Sequence, residues 1–285
     1  MEDGNEDMNW DRDEIQAIVI RALAEDVGTG DITGNTIVPA DRSGSAEFLA
    51  KEPGVMAGFP LVERIFRQLD GHCRVQQQCA EGASFEKGAI LGSAGGPARA
   101  LLAGERVSLN FLQRLCGIAS RTAEYVRLAA PHGIRILDTR KTTPLLRRLE
   151  KYAVKMGGGT NHRMGLFDAP MVKDNHLQIQ PDFAAILDAF RGRGYAAGQV
   201  EIEVASPDML RAAASAGARW FLLDNMTPDQ IRECVGIKQQ GMKFEVSGGV
   251  WLANLADYLI PGVDFISIGA LTHTIRSLDI SLEMK

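Results

Sequence analysis

The second half of the chain repeats one pattern, in which a short apolar run is followed by a polar loop and then by a helical segment. The runs, all after Pro131, are IRILDTRK, APMVKD, VEIEVA, WFLLDN, KFEVSGG and DFISIGAL. Buried parallel strands read as continuous apolar runs, and strands that alternate with helices of this length form βα units. The repeat therefore predicts an α/β barrel, with an open doubly wound sheet as the alternative.

The first half has a different pattern, which predicts an α+β fold. Apolar spacing predicts a helix over Asp13 to Glu25, and strand-like runs (AEFLAKE, CRVQQQ, AILGSAG) surround a helical stretch from Pro60 to Leu69. A further helix is predicted from Ala98 to Ala130. The AGGP segment before it is a plausible hinge into another domain.

Composition excludes several classes of protein. The 285 residues carry a formal net charge of -5, so no basic surface is expected for nucleic acid or an anionic membrane. The four cysteines form no CxxC pair, which argues against a zinc site or a disulfide framework and favours the cytoplasm. The acidic first residues are unlike a signal peptide, and no apolar run approaches membrane-spanning length.

Polar residues follow each apolar run of the second half. They are Arg140, Lys141, Lys173, Asp174, Glu203, Asp224, Asn225, Ser247, Gly248 and Gly269. In an α/β barrel the carboxyl ends of the strands form one face, where the site is built. Arginines and lysines that converge there favour a ligand with several carboxylates or phosphates.

Two smaller patterns refine this expectation. Glu203 and Asp224 offer hard oxygen ligands for a divalent cation such as Mg²⁺, although Glu203 could instead pair with Lys173 or Arg140. The stretch VSGGVWLAN places two glycines between a strand end and a helix predicted from Trp251, which suits a phosphate. The alternative interpretation of SGG is a tight turn.

One predicted helix lies between these strands. Thr143 is predicted to cap it, Pro144 to occupy its first position, and Gly157 to end it. Its buried face would hold Leu146, Leu149, Ala153 and Met156. Its solvated face would hold Arg147, Arg148, Glu150 and Lys151.

Longer segments resemble a known family. They are EDVGTGDIT, GERVSLNFLQRLCGIAS, LDTRKTTP, LEKYAVKMGGGTNHRMGLFD, VKDNHL, VEIEV, LLDNM, EVSGG, SIGALTHT and SLDISLE. Together they closely resemble quinolinate phosphoribosyltransferases, also called nicotinate-nucleotide pyrophosphorylases (carboxylating). The resemblance implies transfer of phosphoribose from phosphoribosyl pyrophosphate to quinolinate, with decarboxylation to nicotinate mononucleotide, pyrophosphate and CO₂.

The resemblance also implies an architecture, an incomplete α/β barrel with a smaller N-terminal α+β sandwich domain. The expected parts are a flexible acidic N-terminus at 1–12, the sandwich domain at 13–117 and the catalytic barrel at 118–274, with 275–285 packing back on the sandwich. It further implies Mg²⁺ as cofactor and a homodimer or higher homo-oligomer with shared active sites.

The resemblance assigns roles residue by residue. Quinolinate would be bound by Arg140, His162, Arg163, Lys173 and an Arg106 from the partner subunit. Phosphoribosyl pyrophosphate would be bound by Lys141, Glu203, Asp224, Ser247, Gly248, Gly269 and His273. Lys141, Lys173, Glu203 and Asp224 would be catalytic, and Glu203 and Asp224 would hold Mg²⁺. The sequence departs from the family at Leu145, where glycine is usual, and at Cys116, where serine or threonine is usual.

Three other functions stay open on sequence alone. A paralogue associated with molybdate transport could share the ribosyl-phosphate site without acting on quinolinate. A Schiff-base aldolase could use Lys173 or Lys141, although such a lysine needs a depressed pKa. A non-catalytic protein could bind quinolinate without turnover.

Overall fold

The computed structural model describes residues Met8 to Lys285; Met1–Asp7, which belong to the predicted flexible N-terminus, lie outside the described residues. The helices are α1 (Asp13–Val27), α2 (Ile32–Ile37), α3 (Phe59–Leu69), α4 (Ala98–Ala129), α5 (Arg147–Met156), α6 (Asp174–Ile179), α7 (Phe183–Arg191), α8 (Pro207–Ser215), α9 (Pro228–Gly236), α10 (Leu255–Tyr258) and α11 (Ala270–His273). The strands are β1 (Ser43–Ala50), β2 (Gly54–Val55), β3 (Arg74–Gln77), β4 (Ser84–Phe85), β5 (Ile90–Pro97), β6 (Arg135–Leu137), β7 (Met171–Val172), β8 (Glu201–Val204), β9 (Trp220–Asp224), β10 (Lys243–Ser247), β11 (Phe265–Ser267) and β12 (Ile280–Met284).

Contacts within the chain define two compact units. The first comprises the chain up to Arg121, together with Thr143–Gly158 and Ile275–Lys285; the second comprises Thr122–Thr142 and Gly159–Thr274. Helix α4 therefore supplies residues to both units. The domain boundaries expected from the sequence stay a prediction. Every helix between Met8 and Lys285 is too short or too polar to cross a membrane.

The first unit is built on a four-stranded antiparallel sheet in the order β12-β1-β5-β3. Helix α3 buries one apolar face in its core, where Phe48 packs edge-on against Phe59 with ring centroids 5.5 Å apart. The three strand-like runs of the first half form β1, β3 and β5, as predicted. The last strand of the chain, β12, completes the sheet by pairing with β1.

Helix α5, also in the first unit, begins later than predicted. It starts at Arg147, so the predictions that Thr143 caps it and that Pro144 occupies its first position are wrong. Leu145 has a φ of 69°, in the left-handed region, and this backbone angle cannot belong to an α-helix. The usual family glycine adopts such an angle without steric cost, whereas Leu145 adopts it with strain.

The predicted solvated face of α5 is also wrong in part. Glu150 is 0% exposed and Lys151 is 1% exposed. Arg114 donates to Oε1 of Glu150 from Nε at 3.0 Å and from Nη2 at 2.6 Å, and the backbone N–H of Thr143 donates to Oε2 at 3.1 Å. These hydrogen bonds compensate the cost of burying the carboxylate of Glu150. The bond from Thr143 also fixes the loop that precedes the helix.

The second unit contains one parallel sheet of six strands in the order β6-β11-β10-β9-β8-β7. The six apolar runs form these six strands, and β7 to β11 lie side by side in chain order. Strand β6, the first of the six, pairs with β11, the last; among the described residues, no ladder joins β6 to β7. This is the predicted incomplete α/β barrel.

Helices α8 and α9 begin at Pro207 and Pro228, with side-chain caps from Ser206 and Thr227. The prediction of a helix from Trp251 is wrong. The backbone N–H of Trp251 donates to Oδ1 of Asn254, and this turn precedes α10, which has only four residues.

Candidate active site

Two acidic residues lie at the carboxyl ends of neighbouring strands, Glu203 on β8 and Asp224 on β9. Glu203 is buried, and its Oε2 atom lies 2.9 Å from Nζ of Lys173, which directly follows β7. The backbone N–H of Asp174 donates to Oε1 of Glu203 at 3.3 Å. Of the alternatives that the sequence left open, the structure thus has Glu203 paired with Lys173.

Asp224 is surrounded by charges of both signs. Burial raises its pKa, and the negative charge of Glu203 raises it further. A hydrogen bond from the side chain of Asn225 and the charges of Lys173 and Lys141 act in the opposite direction. Two lysines and two carboxylates therefore influence one another at this end of the sheet.

The turn after β10 is shaped by two left-handed residues. Gly248 has a φ of 92° and Asn225, on the adjacent turn, has a φ of 53°. A Cβ atom on Gly248 would lie 2.2 Å from Oδ1 of Asn225, so this position accepts only glycine without rearrangement. Gly249 also has a positive φ, and successive backbone N–H groups in such a turn form a concavity that suits a phosphate.

Lys141, Gly269 and His273 come together at the turn after β11. A Cβ atom on Gly269 would lie 2.9 Å from Nε2 of His273 and 3.0 Å from Cδ of Lys141. The hydroxyl of Thr272 donates to the carbonyl of Lys141 at 2.8 Å, which fixes the loop after β6 against α11. The absence of a side chain at Gly269 is therefore what lets the two basic residues approach each other.

The segment Thr160–Arg163 lies beside β6 because a buried aspartate holds it there. Asp138 accepts the backbone N–H of His162 at 2.8 Å and the side chain of Asn161 at 2.6 Å. Burial lowers the pKa of Arg163, and the charge of Arg140 lowers it further, so the two guanidinium groups act on each other. The long loop thus returns to the strand end that carries Arg140.

Two functional candidates were missed by the sequence reasoning, Glu201 and Glu245. Both lie on strands and are buried, and both carboxylates approach the ring of His162. The available signal was the alternation in EIEV, since Glu201 and Glu203 must project from the same face of β8. Because Glu203 was already a site candidate, Glu201 could have been predicted to lie on the same side of the sheet as the site.

Arg106 is the one predicted site residue that lies in the first unit. It is exposed on α4. Its predicted contact with quinolinate in a partner subunit stays a prediction.

The donor set fits a divalent cation that brings ligands of its own. Glu203 and Asp224 supply hard carboxylate oxygens, and a cation would compensate both the burial and the charge of Glu203 that raise the pKa of Asp224. Between Met8 and Lys285, three mutually close ligands of the His, Cys, Asp and Glu types occur only in His162, Glu201 and Glu245. A cation at Glu203 and Asp224 would therefore take its other ligands from substrate and water.

Comparison with known proteins gives a consistent result over most of the chain. Residues 31–116 match the family model described as quinolinate phosphoribosyl transferase, N-terminal domain, and residues 118–283 match the one for the C-terminal domain. The probable nicotinate-nucleotide pyrophosphorylase [carboxylating] of Bacillus subtilis is 42% identical, over 95% of this chain and 93% of that protein.

Solved structures agree with the sequence comparison. NadC from Streptococcus pyogenes has a TM-score of 0.90 at 37% identity, covering 95% of this chain and 96% of that one. The nicotinate-nucleotide pyrophosphorylase from Francisella tularensis has a TM-score of 0.89 at 34% identity, covering 96% of each chain.

Proposed function

The chain belongs to the quinolinate phosphoribosyltransferase family, and from this membership we propose how its strand-end residues perform the family's reaction. The enzyme is a pentosyltransferase of NAD biosynthesis. It transfers phosphoribose from phosphoribosyl pyrophosphate to quinolinate with decarboxylation, giving nicotinate mononucleotide, pyrophosphate and CO₂.

The observation that carries the assignment of residues is that Asp138 holds the segment before Arg163 beside the end of β6, which leads to Arg140. The charge of Arg140 lowers the pKa of Arg163 there. Two guanidinium groups that repel each other create a site for a ligand with two negative charges. Quinolinate carries two carboxylates on adjacent ring carbons. Arg140, Arg163 and Lys173 bind these carboxylates, and His162 closes the same pocket.

Phosphoribosyl pyrophosphate occupies the neighbouring strand ends. Lys141 and His273, together with the backbone of Gly269, contact its phosphates. Ser247 and Gly248 form a second cradle, which uses backbone N–H groups because no long helix follows that turn. Glu203 and Asp224 face the ribose.

The charges of these residues match those that develop in the reaction. The anomeric ribose carbon gains positive character as pyrophosphate leaves, and Glu203 and Asp224 stabilise it. Lys141 neutralises negative charge on the leaving group. Once its nitrogen is alkylated, the pyridine ring is a cationic electron sink, so CO₂ departs and leaves the bonding electron pair on the ring carbon. A proton from water or a nearby acid then completes the product.

Magnesium is part of this proposal. Glu203 and Asp224 would hold the ion, which supplies a Lewis acid that neutralises charge on pyrophosphate oxygens. The support is the carboxylate pair itself, on adjacent strands and with the pKa of Asp224 raised.

We also propose a homodimer in which Arg106 reaches the partner's site. Its support is the resemblance around GERVSLN and the exposure of Arg106 on α4. Mixing Arg106→Ala subunits with Lys173→Ala subunits should restore part of the activity, because one hybrid site regains both residues. No recovery despite proven subunit exchange would exclude shared sites.

We place the enzyme in the cytoplasm, since its four cysteines are all free, as is usual in a reducing compartment. Fractionation of cells that produce the protein would test this placement.

The direct test of function is formation of nicotinate mononucleotide by purified protein. We expect turnover with quinolinate, phosphoribosyl pyrophosphate and Mg²⁺, none when EDTA replaces Mg²⁺, and none with nicotinate in place of quinolinate. Loss of turnover in Arg140→Ala, with Arg232→Ala on the exposed face of α9 as control, would connect the activity to the proposed pocket. A folded wild type that leaves quinolinate unchanged would refute the proposal.

A further inference from the structure

Three titratable side chains meet inside the second unit and are called here the interior triad: His162, Glu201 and Glu245. Glu201 begins β8 and Glu245 is the central residue of β10, and they are 2% and 1% exposed. Nε2 of His162 lies 3.1 Å from Oε2 of Glu201 and 3.4 Å from Oε2 of Glu245. The reaction described above uses His162 but neither glutamate.

The interior triad is costly for the fold. Oε1 of Glu201 and Oε1 of Glu245 are buried without a hydrogen-bond partner, and Oε2 of Glu245 has only its 3.4 Å ion-pair contact with Nε2 of His162. Burial raises the pKa of Glu201 to about 7, and the charge of Glu245 contributes to this shift. Apolar side chains of similar volume in place of buried ionic groups often leave stability unchanged or increase it. The stability of the fold therefore does not explain why two glutamates stand here.

The orientation of the His162 ring indicates what the glutamates do. Nδ1 accepts the backbone N–H of Arg163 at 2.7 Å, and a nitrogen that accepts a hydrogen bond carries no proton. The ring proton therefore lies on Nε2 and points at the two glutamates. Burial lowers the pKa of His162, while hydrogen bonds to Glu201 and Glu245 raise it to about 10. The hydrogen bond at Nδ1 opposes a second proton, and we assign the Nε2–H tautomer on that ground.

A metal ion is the other occupant that three such ligands suggest, and the same hydrogen bond disfavours it. A metal on Nε2 would need the lone pair of that atom and would move the ring proton to Nδ1. Nδ1–H would then face the backbone N–H of Arg163, and two donors cannot form a hydrogen bond with each other. Histidines that bind metals normally donate their other N–H to an acceptor. The geometry thus indicates a proton between His162 and the glutamates.

The interior triad acts on Arg163 in two ways. Asp138 holds the backbone of His162, the glutamates hold its ring, and the ring holds the backbone N–H of Arg163. In addition, the negative charge of Glu201 raises the pKa of Arg163, against the effects of burial and of Arg140. Glu201 therefore offsets part of the repulsion between the two guanidinium groups.

We propose that Glu201 and Glu245 are positioning residues for the dicarboxylate substrate: Glu201 accepts the Nε2 proton of His162, Glu245 faces the same nitrogen, and the ring they orient holds Arg163 in place beside Arg140. This inference rests on the proposed function, since it relies on the roles of His162, Arg163 and Arg140 in binding quinolinate.

The test replaces both glutamates by leucine. In folded Glu201→Leu/Glu245→Leu we expect a KM for quinolinate raised roughly 10-fold or more, and a KM for phosphoribosyl pyrophosphate within about twofold of wild type. The double glutamine variant keeps an acceptor at each position and should recover part of the quinolinate affinity. The control is Glu81→Gln, since Glu81 accepts backbone N–H groups of Gly58 and Phe59 in the first unit; it should lower Tm without changing either KM.

A second readout does not depend on activity. In ¹⁵N-histidine-labelled wild type, the His162 signals, assigned by their loss in His162→Asn, should show a protonated Nε2, and this signature should change in the leucine double variant. Three results would each overturn the proposal. They are an unprotonated Nε2 in wild type, stoichiometric metal that is bound by wild type and lost in the leucine double variant, and an unchanged KM for quinolinate in the folded double variant. A wild type that does not turn over quinolinate would refute the proposed function, while the nitrogen spectrum would still report whether the glutamates orient His162.

Discussion

Lys173 and Glu203 form an ion pair at adjacent strand ends, with Nζ 2.9 Å from Oε2. The proposed function places one of them at the quinolinate carboxylates and the other at the ribose. Each residue thus compensates the charge of the other, and an incoming carboxylate must share Lys173 with Glu203. Under this proposal the ion pair would connect the two substrates' binding sites through a single contact.

We expect Lys173→Ala to lower kcat/KM for quinolinate at least ~100-fold, because charge stabilisation is lost in a partly desolvated site. Arg140→Ala should have an effect of the same order. Steady-state kinetics with quinolinate varied would measure both. Lys238→Ala is the control, since it removes an ion pair with Asp264 in the same unit and should leave the rate unchanged. Near-normal rates in both site variants would contradict their assigned roles.

Gly248→Ala should weaken binding of phosphoribosyl pyrophosphate, with its KM raised roughly 10-fold or more, a loss of more than 1 kcal/mol. The added Cβ would lie 2.2 Å from Oδ1 of Asn225 and would displace the turn. Gly249→Ala is the matched comparison, because Gly249 also has a positive φ but has no atom within 4 Å of the built Cβ. If both variants bound the substrate equally well, the close contact at Gly248 would not shape the site.

Leu145→Gly should stabilise the protein. Leu145 is 75% exposed and has a φ of 69°, so glycine removes backbone strain at little loss of burial. The substitution removes about 1–2 kcal/mol of backbone strain, while the more flexible unfolded chain costs about 0.4–1 kcal/mol. The free energy of unfolding should therefore rise by roughly 0.5–1 kcal/mol. Urea denaturation would measure it. Leu166→Gly, at an exposed leucine without a positive φ, should give no gain, and equal gains in both variants would argue against strain at Leu145.

The pKa of Glu201 predicts how stability depends on pH. Because folding raises this pKa from 4.5 to about 7, the unfolded chain ionises first as pH rises. The folded state therefore loses relative stability between about pH 4.5 and pH 7, by up to about 3 kcal/mol, and is most favoured below that window. Glu201→Gln should flatten this part of the stability profile, measured by urea denaturation at several pH values. Glu233→Gln, at an exposed position, should leave the profile as in wild type.

The sequence predicted the sheet of the second unit well, because six continuous apolar runs have few other uses in a chain of this length. It predicted helix α5 poorly. Thr143 and Pro144 form a good local start signal, but Leu145 adopts a left-handed angle, and Arg114, distant in the chain, donates hydrogen bonds to Glu150. Helix propensity depends on residues close in the sequence, so it cannot predict the effect of a partner such as Arg114.

In the candidate site, too, the sequence predicted what local patterns determine and missed what depends on residues distant in the chain. Residues at or directly after strand ends, such as Asp224 and Lys173, could be identified as candidates because the fold places all strand ends on one face. Glu245 could not, since a glutamate within an apolar run gives no indication of whether it meets a histidine or another charge. Only the register of β8 and β10 around His162 shows that it belongs to the interior triad.

The pairing of β12 with β1 has a consequence for biosynthesis. The first unit's sheet joins a strand near the start of the chain to one near Lys285, whereas the second unit's sheet is complete once β11 has been synthesised. During translation the parallel sheet can therefore form while β1 still has one open edge, exposed to pairing with other nascent chains. Pairing of β12 closes that edge once Ile280–Met284 has left the ribosome, so a truncation before Ile280 should aggregate rather than merely lose stability.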